Sequence, residues 1–108
     1  MILYTMTLFE KIIAREIPAN IEYEDNEIIV IHDINPQAKL HLLIIPKKPI
    51  KTVADMSIPD DIEIMGKLFA TAKKIGDEKK LEGYKLQINV GAKGGQEVFH
   101  IHMHMLAH

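Results

Sequence analysis

His100-Ile101-His102-Met103-His104-Met105-Leu106, close to the C-terminus, alternates imidazoles with apolar side chains. Successive side chains of a strand point to opposite faces, so His100, His102 and His104 are predicted to share one face. Ile101, Met103 and Met105 then take the other face, as core positions should. Three imidazoles side by side pack poorly, because each buried ring nitrogen needs a partner. A tag remnant or a surface strand would explain histidines alone, and His108 fits that thought, but alternation with Ile and Met does not. Zinc ligation is a further reading, since imidazole is a common zinc ligand. Strand neighbours two apart lie about 7 Å from each other, wide for three ligands on one ion. On this strand alone, metal binding and catalysis both stay open.

The segment just before it points to an anion. Gly91-Ala92-Lys93-Gly94-Gly95-Gln96 delivers the chain into the histidine strand. Glycines let a backbone approach a ligand closely and aim N–H groups at negative charge. Alone, such a stretch reads as a hairpin loop. Beside three histidines it reads as a phosphate or oxyanion cradle.

Working outward, residues 84–90 alternate cleanly, with Tyr84, Leu86, Ile88 and Val90 on one face and Lys85, Gln87 and Asn89 on the other. Residues 40–45 form an apolar run broken only by His41 and closed by Pro46, which suits a central strand covered on both faces. Residues 21–24 and 28–33 read as two strands joined by a tight turn at Asp25-Asn26, and Asn35-Pro36 marks the next turn. A last strand is predicted over 98–106. One short helix is expected over 7–15, capped by Thr7 with Glu10 three residues on, bearing Phe9, Ile12 and Ile13 on its apolar face and stopped by Pro18. One long helix opens at Pro59 and ends before Gly83. Its stripe of Ile58, Ile62, Met65, Phe69 and Ala72, with Leu68 and Ile75 beside it, is read as packed on the sheet rather than as a partner face or cofactor box. The fold class is α+β, with a mostly antiparallel five-stranded sheet.

The 108 residues suit one domain with a single core. A 47% hydrophobic and 26% charged composition is ordinary for a globular chain. A formal charge of -2, with Lys47-Lys48 the only short basic cluster near the middle, gives no reason to expect nucleic acid. The absence of cysteine excludes disulfides and thiolate metal sites. Residues 1–6 lack a leader's basic start and long apolar run, and no apolar stretch approaches the roughly 20 residues of a membrane-spanning helix. A soluble, cytoplasmic protein without a membrane partner is the expectation.

The alternating histidines match the signature of the histidine triad superfamily, and the likeness extends along nearly the whole chain. Phe9-Glu10-Lys11-Ile12-Ile13, Glu16-Ile17-Pro18-Ala19, His32-Asp33-Ile34-Asn35-Pro36-Gln37-Ala38, His41, Ile45-Pro46-Lys47-Lys48 and the 89–96 segment resemble the Hint branch. The resemblance implies a homodimer pairing its long helices and central strands across a twofold axis. It implies binding of purine nucleoside monophosphates, and hydrolysis of nucleoside phosphoramidates and acyl-adenylates, with no metal or other cofactor required and any zinc adventitious. By resemblance, His102 is the nucleophile that forms a nucleotidyl-histidine intermediate. His41, His100 and His104 would orient it, support proton movement and contact the phosphate. Asp33 matches the acid that holds the ribose hydroxyls. Phe9, Ile12, Ile31, His32 and Ile34 match the base pocket, while Asn89, Gly95, Gln96, Glu97 and Val98 fall at the phosphate-binding loop.

Three departures stand out. Glu97 replaces a frequent hydroxyl residue, so only the backbone N–H carries over, because a carboxylate repels phosphate. Ile31 replaces a frequent aromatic residue, weakening stacking on the base. The sequence ends at Leu106-Ala107-His108, where many relatives continue into a tail that shapes leaving-group preference. Two other functions compete: dinucleoside polyphosphate hydrolysis, as in the Fhit branch, and a nucleotide-sensing dimer that works through protein partners with incidental catalysis. The upstream motifs speak for the Hint branch over Fhit. The uridylyltransferase branch has glutamine where this chain has His104.

Overall fold

The computed structural model describes residues 6–108; all but Met6 of the 1–6 stretch read above lies outside them. Two strands, β1 (Ile21–Glu24) and β2 (Ile28–His32), follow helix α1 (Leu8–Ile13). Strand β3 (Leu40–Pro46) precedes a short 3-10 turn and helix α2 (Ile62–Glu78). Strand β4 (Lys85–Gln87), a second 3-10 turn at Ala92–Gly94 and strand β5 (Met103–Ala107) complete the order. All pairings are antiparallel, and the five strands run β1-β2-β3-β5-β4 across the sheet.

Local chemistry explains the element ends. Thr7 caps α1 with a reciprocal capping box, its hydroxyl accepting from Glu10 N and the Glu10 carboxylate accepting from Thr7 N, both at 3.2 Å. The helix stops earlier than the expected Arg15, because Arg15 turns into the left-handed region at φ 63 before Pro18 is reached. Asp25 builds the β1–β2 turn by accepting from Glu27 N and Ile28 N, each at 2.8 Å. Pro59 lies in a turn that precedes α2 rather than within it, and the helix begins at Ile62 after Asp61, whose carboxylate accepts from Ser57 N at 2.7 Å. Past the helix, a Cβ on Gly76 would meet the Tyr84 ring at 2.6 Å, so only glycine lets the chain fold back this closely.

The sheet separates two apolar layers. Val30, Leu42, Ile44, Ile101, Met103 and Met105 meet α2 through Ile64, Leu68, Ala72 and Ile75. Phe9 and Ile12 of α1 cover Ile29, Ile31, Leu43 and Ile45 on the other side. Strand β3 is thus covered on both faces, as its unbroken apolar run implied. The sheet-facing stripe of α2 is rotated from the expected one. Ile58, Ile62 and Phe69 are exposed at 68%, 53% and 54%, whereas Ile64, Leu68, Thr71, Ala72, Ile75 and Gly76 are buried. The helix carries two apolar stripes, and only one can meet the sheet. A central strand also offers no edge for pairing with another chain: β2 and β5 occupy both edges of β3, leaving β1 and β4 as the sheet edges among the described residues.

Candidate active site

The alternating histidines do not all lie in a strand. β5 starts at Met103, and 98–102 are irregular. The ladder with β3 ends at Ile44↔Met103, and in the continued register Pro46, which has no N–H to donate, would face Ile101. Ile101 N instead donates to Ile50 O at 2.8 Å. This bend separates the roles of the triad. His100 is 1% exposed and spends Nε2–H on Pro46 O at 2.6 Å, away from the site. Its carbonyl accepts Nδ1–H of His102 at 2.8 Å. A proton held on Nδ1 leaves Nε2 of His102 with its lone pair, and His102 lines a cavity. Phe9 braces the ring edge-on, with centroids 4.8 Å apart.

A second chain of hydrogen bonds sets the other two imidazoles. Gln37 N–H donates to His41 Nδ1 at 3.0 Å, so the His41 proton sits on Nε2. Nε2–H then donates to His104 Nδ1 at 2.9 Å, with an Asp33 carboxylate oxygen 3.5 Å from the same nitrogen. His104 is left with its proton on Nε2. Its ring lies 5.1 Å from that of His102, centroid to centroid. Burial pushes His100 and His102 below the ordinary imidazole value, the carbonyl partners opposing the shift. Burial, then the neighbouring His102 and His41, push His104 down to about 4. The triad is therefore neutral at pH 7.

Asp33, His41 and His104 bring ligand atoms within 4.8 Å of one another, the one cluster with metal-site spacing among the described residues. The tautomers do not suit a metal. A ligating His41 Nε2 would need its proton moved to Nδ1, and the Gln37 N–H already faces that nitrogen. Metal-bound histidines donate their second N–H to an acceptor, and here the second nitrogen meets a donor.

The cavity, about 1000 Å³, runs along the α1 face of the sheet. It gathers Phe9, Ile12, Ile31, Asp33, Ile34 and Val98 on the β2 and α1 side, with His41, His102 and His104 at its middle. Ile34 stands 87% exposed at the rim. His32 borders the cavity, while its side chain turns to Glu22, Nε2 to carboxylate 2.9 Å. His100 and Gln96, both expected at the site, do not line the cavity. Gln96 is buried because its amide ties the glycine segment together, donating to Lys51 O at 2.7 Å and Val98 O at 3.0 Å and accepting from Gly91 N at 2.9 Å. Gly95 takes φ +89, and a Cβ there would sit 3.2 Å from the Asn89 amide, which itself donates to Gly94 O at 2.8 Å. Asn89, Gly95 and Glu97 border the cavity.

Lys85 and Gln87 also line this cavity, and sequence reasoning passed over both. The signal was present: they form the polar face of the alternating 84–90 segment together with Asn89. Pairing of β4 with β5 puts Gln87 opposite His104 and Lys85 opposite Leu106, on the histidine face. Gln37, whose main chain sets the His41 tautomer, carried no signal of its own.

A sheet bearing neutral imidazoles, beside a cleft with apolar residues, a carboxylate and a glycine-rich turn, defines an α+β domain with a histidine-centred site. The HIT domain model matches residues 14–108, and the chain belongs to the HIT domain family. It is 45% identical over 102 residues to the purine nucleoside phosphoramidase of Escherichia coli strain K12, covering 93% of this chain and 85% of that protein. Among solved structures, a HIT family hydrolase from Legionella pneumophila Philadelphia 1 shares 48% identity with TM-score 0.88, over 93% of this chain and 90% of that one. A histidine triad protein from Clostridium difficile superposes with TM-score 0.91 at 35% identity, over 98% and 94% of the two chains.

Proposed function

We propose that this chain is a purine nucleoside phosphoramidase in which His102 attacks phosphorus. The observation that carries the reading is the 2.8 Å bond from His102 Nδ1 to the His100 carbonyl, which directs the Nε2 lone pair to the cavity. Similarity to the Escherichia coli phosphoramidase supports the substrate class. The nucleoside occupies the apolar side, with Asp33 accepting from the ribose hydroxyls and Phe9, Ile12, Ile31 and Val98 around the base. Attack forms a bond from Nε2 to phosphorus and breaks the phosphorus–nitrogen bond, whose electron pair stays on the amine. In net terms one water balances both steps: its proton goes to the leaving nitrogen and its hydroxide to phosphorus, releasing the monophosphate and restoring His102. The carbonyl of His100 stabilises the imidazolium of the intermediate. His104, its Nε2–H set by His41, donates to a phosphate oxygen, and the Glu97 main-chain N–H just past the glycine turn donates to another, the N–H groups of Gly91, Gly94, Gly95 and Gln96 being spent within the loop. In an acyl-adenylate the same attack breaks the phosphorus–oxygen bond to the acyl group, which leaves as a carboxylate, and water then releases the monophosphate and restores His102. No metal or other cofactor takes part.

The working unit is proposed to be a homodimer. The exposed Ile62 and Phe69 stripe on α2 and the open edge of β4 support that reading, since pairing two β4 edges would put them at the centre of a joined sheet. A soluble, cytoplasmic location fits the absence, among the described residues, of any helix long and apolar enough to cross a membrane. The test is hydrolysis of an adenosine phosphoramidate, with chelator present, by wild type and a His102 variant. Turnover lost only in the variant supports the nucleophile; AMP binding without turnover by wild type would favour the nucleotide-sensing reading.

A further inference from the structure

We propose that Lys85, with Gln87 beside it, forms a leaving-group subsite that selects amines bearing a carboxylate. The inference rests on the phosphoramidase reading and adds which leaving groups the site prefers. The cavity has two chemically distinct sides. The α1 and β2 side joins apolar Phe9, Ile12, Ile17 and Ile31 to neutral polar groups and the one carboxylate of Asp33, carries no cation, and suits a base and ribose. The β4 side presents Lys85, Gln87 and Asn89, polar groups that an aromatic base has no use for. A phosphoramidate has only one other large part, its amine.

Register separates the three β4-side residues along the site. Gln87 lies opposite His104 and Lys85 opposite Leu106, so Lys85 stands level with a position four residues beyond His102. At about 3.4 Å per residue that is roughly 14 Å along the strand. Asn89 and the glycine turn border the cavity at the end nearer His102, and Lys85 borders it further along β4. What the ammonium can reach is the group attached to phosphorus, extending along β4.

Charge says what that group should carry. Among the described residues lining the cavity, Lys85 is the only lysine or arginine, against the carboxylates of Asp33 and Glu97. No carboxylate of the described residues lies within 4.0 Å of the Lys85 ammonium, and among the cavity's described lining residues no other ammonium or guanidinium is present. An unpaired cation at the polar end of a cavity that holds two carboxylates favours an anionic ligand group there. The neighbouring Gln87 amide supplies a neutral donor for the same carboxylate.

The experiment compares the 5'-phosphoramidates of adenosine with tryptophan and with tryptamine, which differ by the one carboxylate. The readout is the ratio of their kcat/KM values, for wild type, Lys85→Met and Lys85→Glu. The expected ratio favours tryptophan in wild type, falls about two- to fivefold in Lys85→Met, as for an exposed charge pair, and falls further in Lys85→Glu. High salt shrinks the wild-type preference. Both substrates slowing together, with the ratio unchanged, would show Lys85 acting on phosphate or on structure and would overturn the subsite. Hydrolysis of neither compound by wild type would instead overturn the phosphoramidase reading beneath it.

Discussion

The imidazole of His102 is held by the main-chain carbonyl of His100, Nδ1 to oxygen 2.8 Å, and not by another side chain. The group that orients the nucleophile is therefore insensitive to the identity of residue 100. The triad, regular in sequence, is unequal in space: one imidazole faces the cavity with its Nδ1 held by a carbonyl, one takes its tautomer from His41, and one is a buried brace bonded to Pro46.

From this inequality comes a paired expectation. His102→Ala should lower turnover of an adenosine phosphoramidate by at least about a thousandfold while AMP still binds, because the nucleophile is gone and the base and ribose contacts remain. His100→Leu keeps the carbonyl and should retain activity within about tenfold. It costs stability, about 1–3 kcal/mol, by leaving Pro46 O without its donor in a buried place. Equal loss of turnover in the two variants, at equal foldedness, would mean that the His100 ring itself takes part.

Stability should fall on the acid side. His100, His102 and His104 are held below the ordinary imidazole value, His104 at about 4. Between that value and the unfolded value of about 6.5, the unfolded chain binds more protons than the folded one. Folding free energy is thus at full strength above pH 6.5 and is lost as pH drops towards 4. Thermal melts across this window should show the decline, and His104→Asn should make it shallower. A slope in the variant as steep as in wild type would remove His104 from the account.

The same shifts place the acid limb of activity. A nucleophile whose pKa is depressed by burial stays unprotonated below the usual imidazole range, so kcat/KM should hold its plateau beneath pH 6.5. An acid limb centred at or above 6.5 would contradict a neutral, desolvated His102.

Gly95→Ala addresses the loop. The residue sits at φ +89, and the new Cβ would press on the Asn89 amide at 3.2 Å. A loss of about 1–2 kcal/mol in stability and weaker AMP binding are expected, read by denaturant melts and calorimetry. Unchanged affinity would detach this turn from phosphate recognition.

The exposed α2 stripe makes the dimer testable. Phe69→Glu places a charge on a surface that is 54% exposed in the single chain, where it costs the isolated fold little. Sedimentation should show wild type as a dimer and the variant shifted to monomer. A monomeric wild type would leave the stripe unexplained.

Much of this molecule was legible in the sequence because its signals are local. The capping box of Thr7 and Glu10, the turn at Asp25, the two-sided burial of β3 and the core role of Met103 and Met105 all follow from neighbours in the chain. The HIT signature was equally plain, and so were the members of the cavity contributed by its motifs. Other matters turned on partners distant in sequence. Whether 98–102 continues as strand depends on groups far along the chain: Pro46 O takes the His100 ring and Ile50 O takes Ile101 N. Which stripe of α2 faces the sheet depends on how the helix is set down on β3, since periodicity alone allows either stripe. The tautomers of His41 and His104 follow from one main-chain N–H of Gln37, and Lys85 enters the cavity only through the register of β4 against β5. Side-chain pattern reports the period of an element and its neighbours along the chain. Strand register, helix rotation and ring protonation are set by atoms that only folding brings within hydrogen-bonding distance.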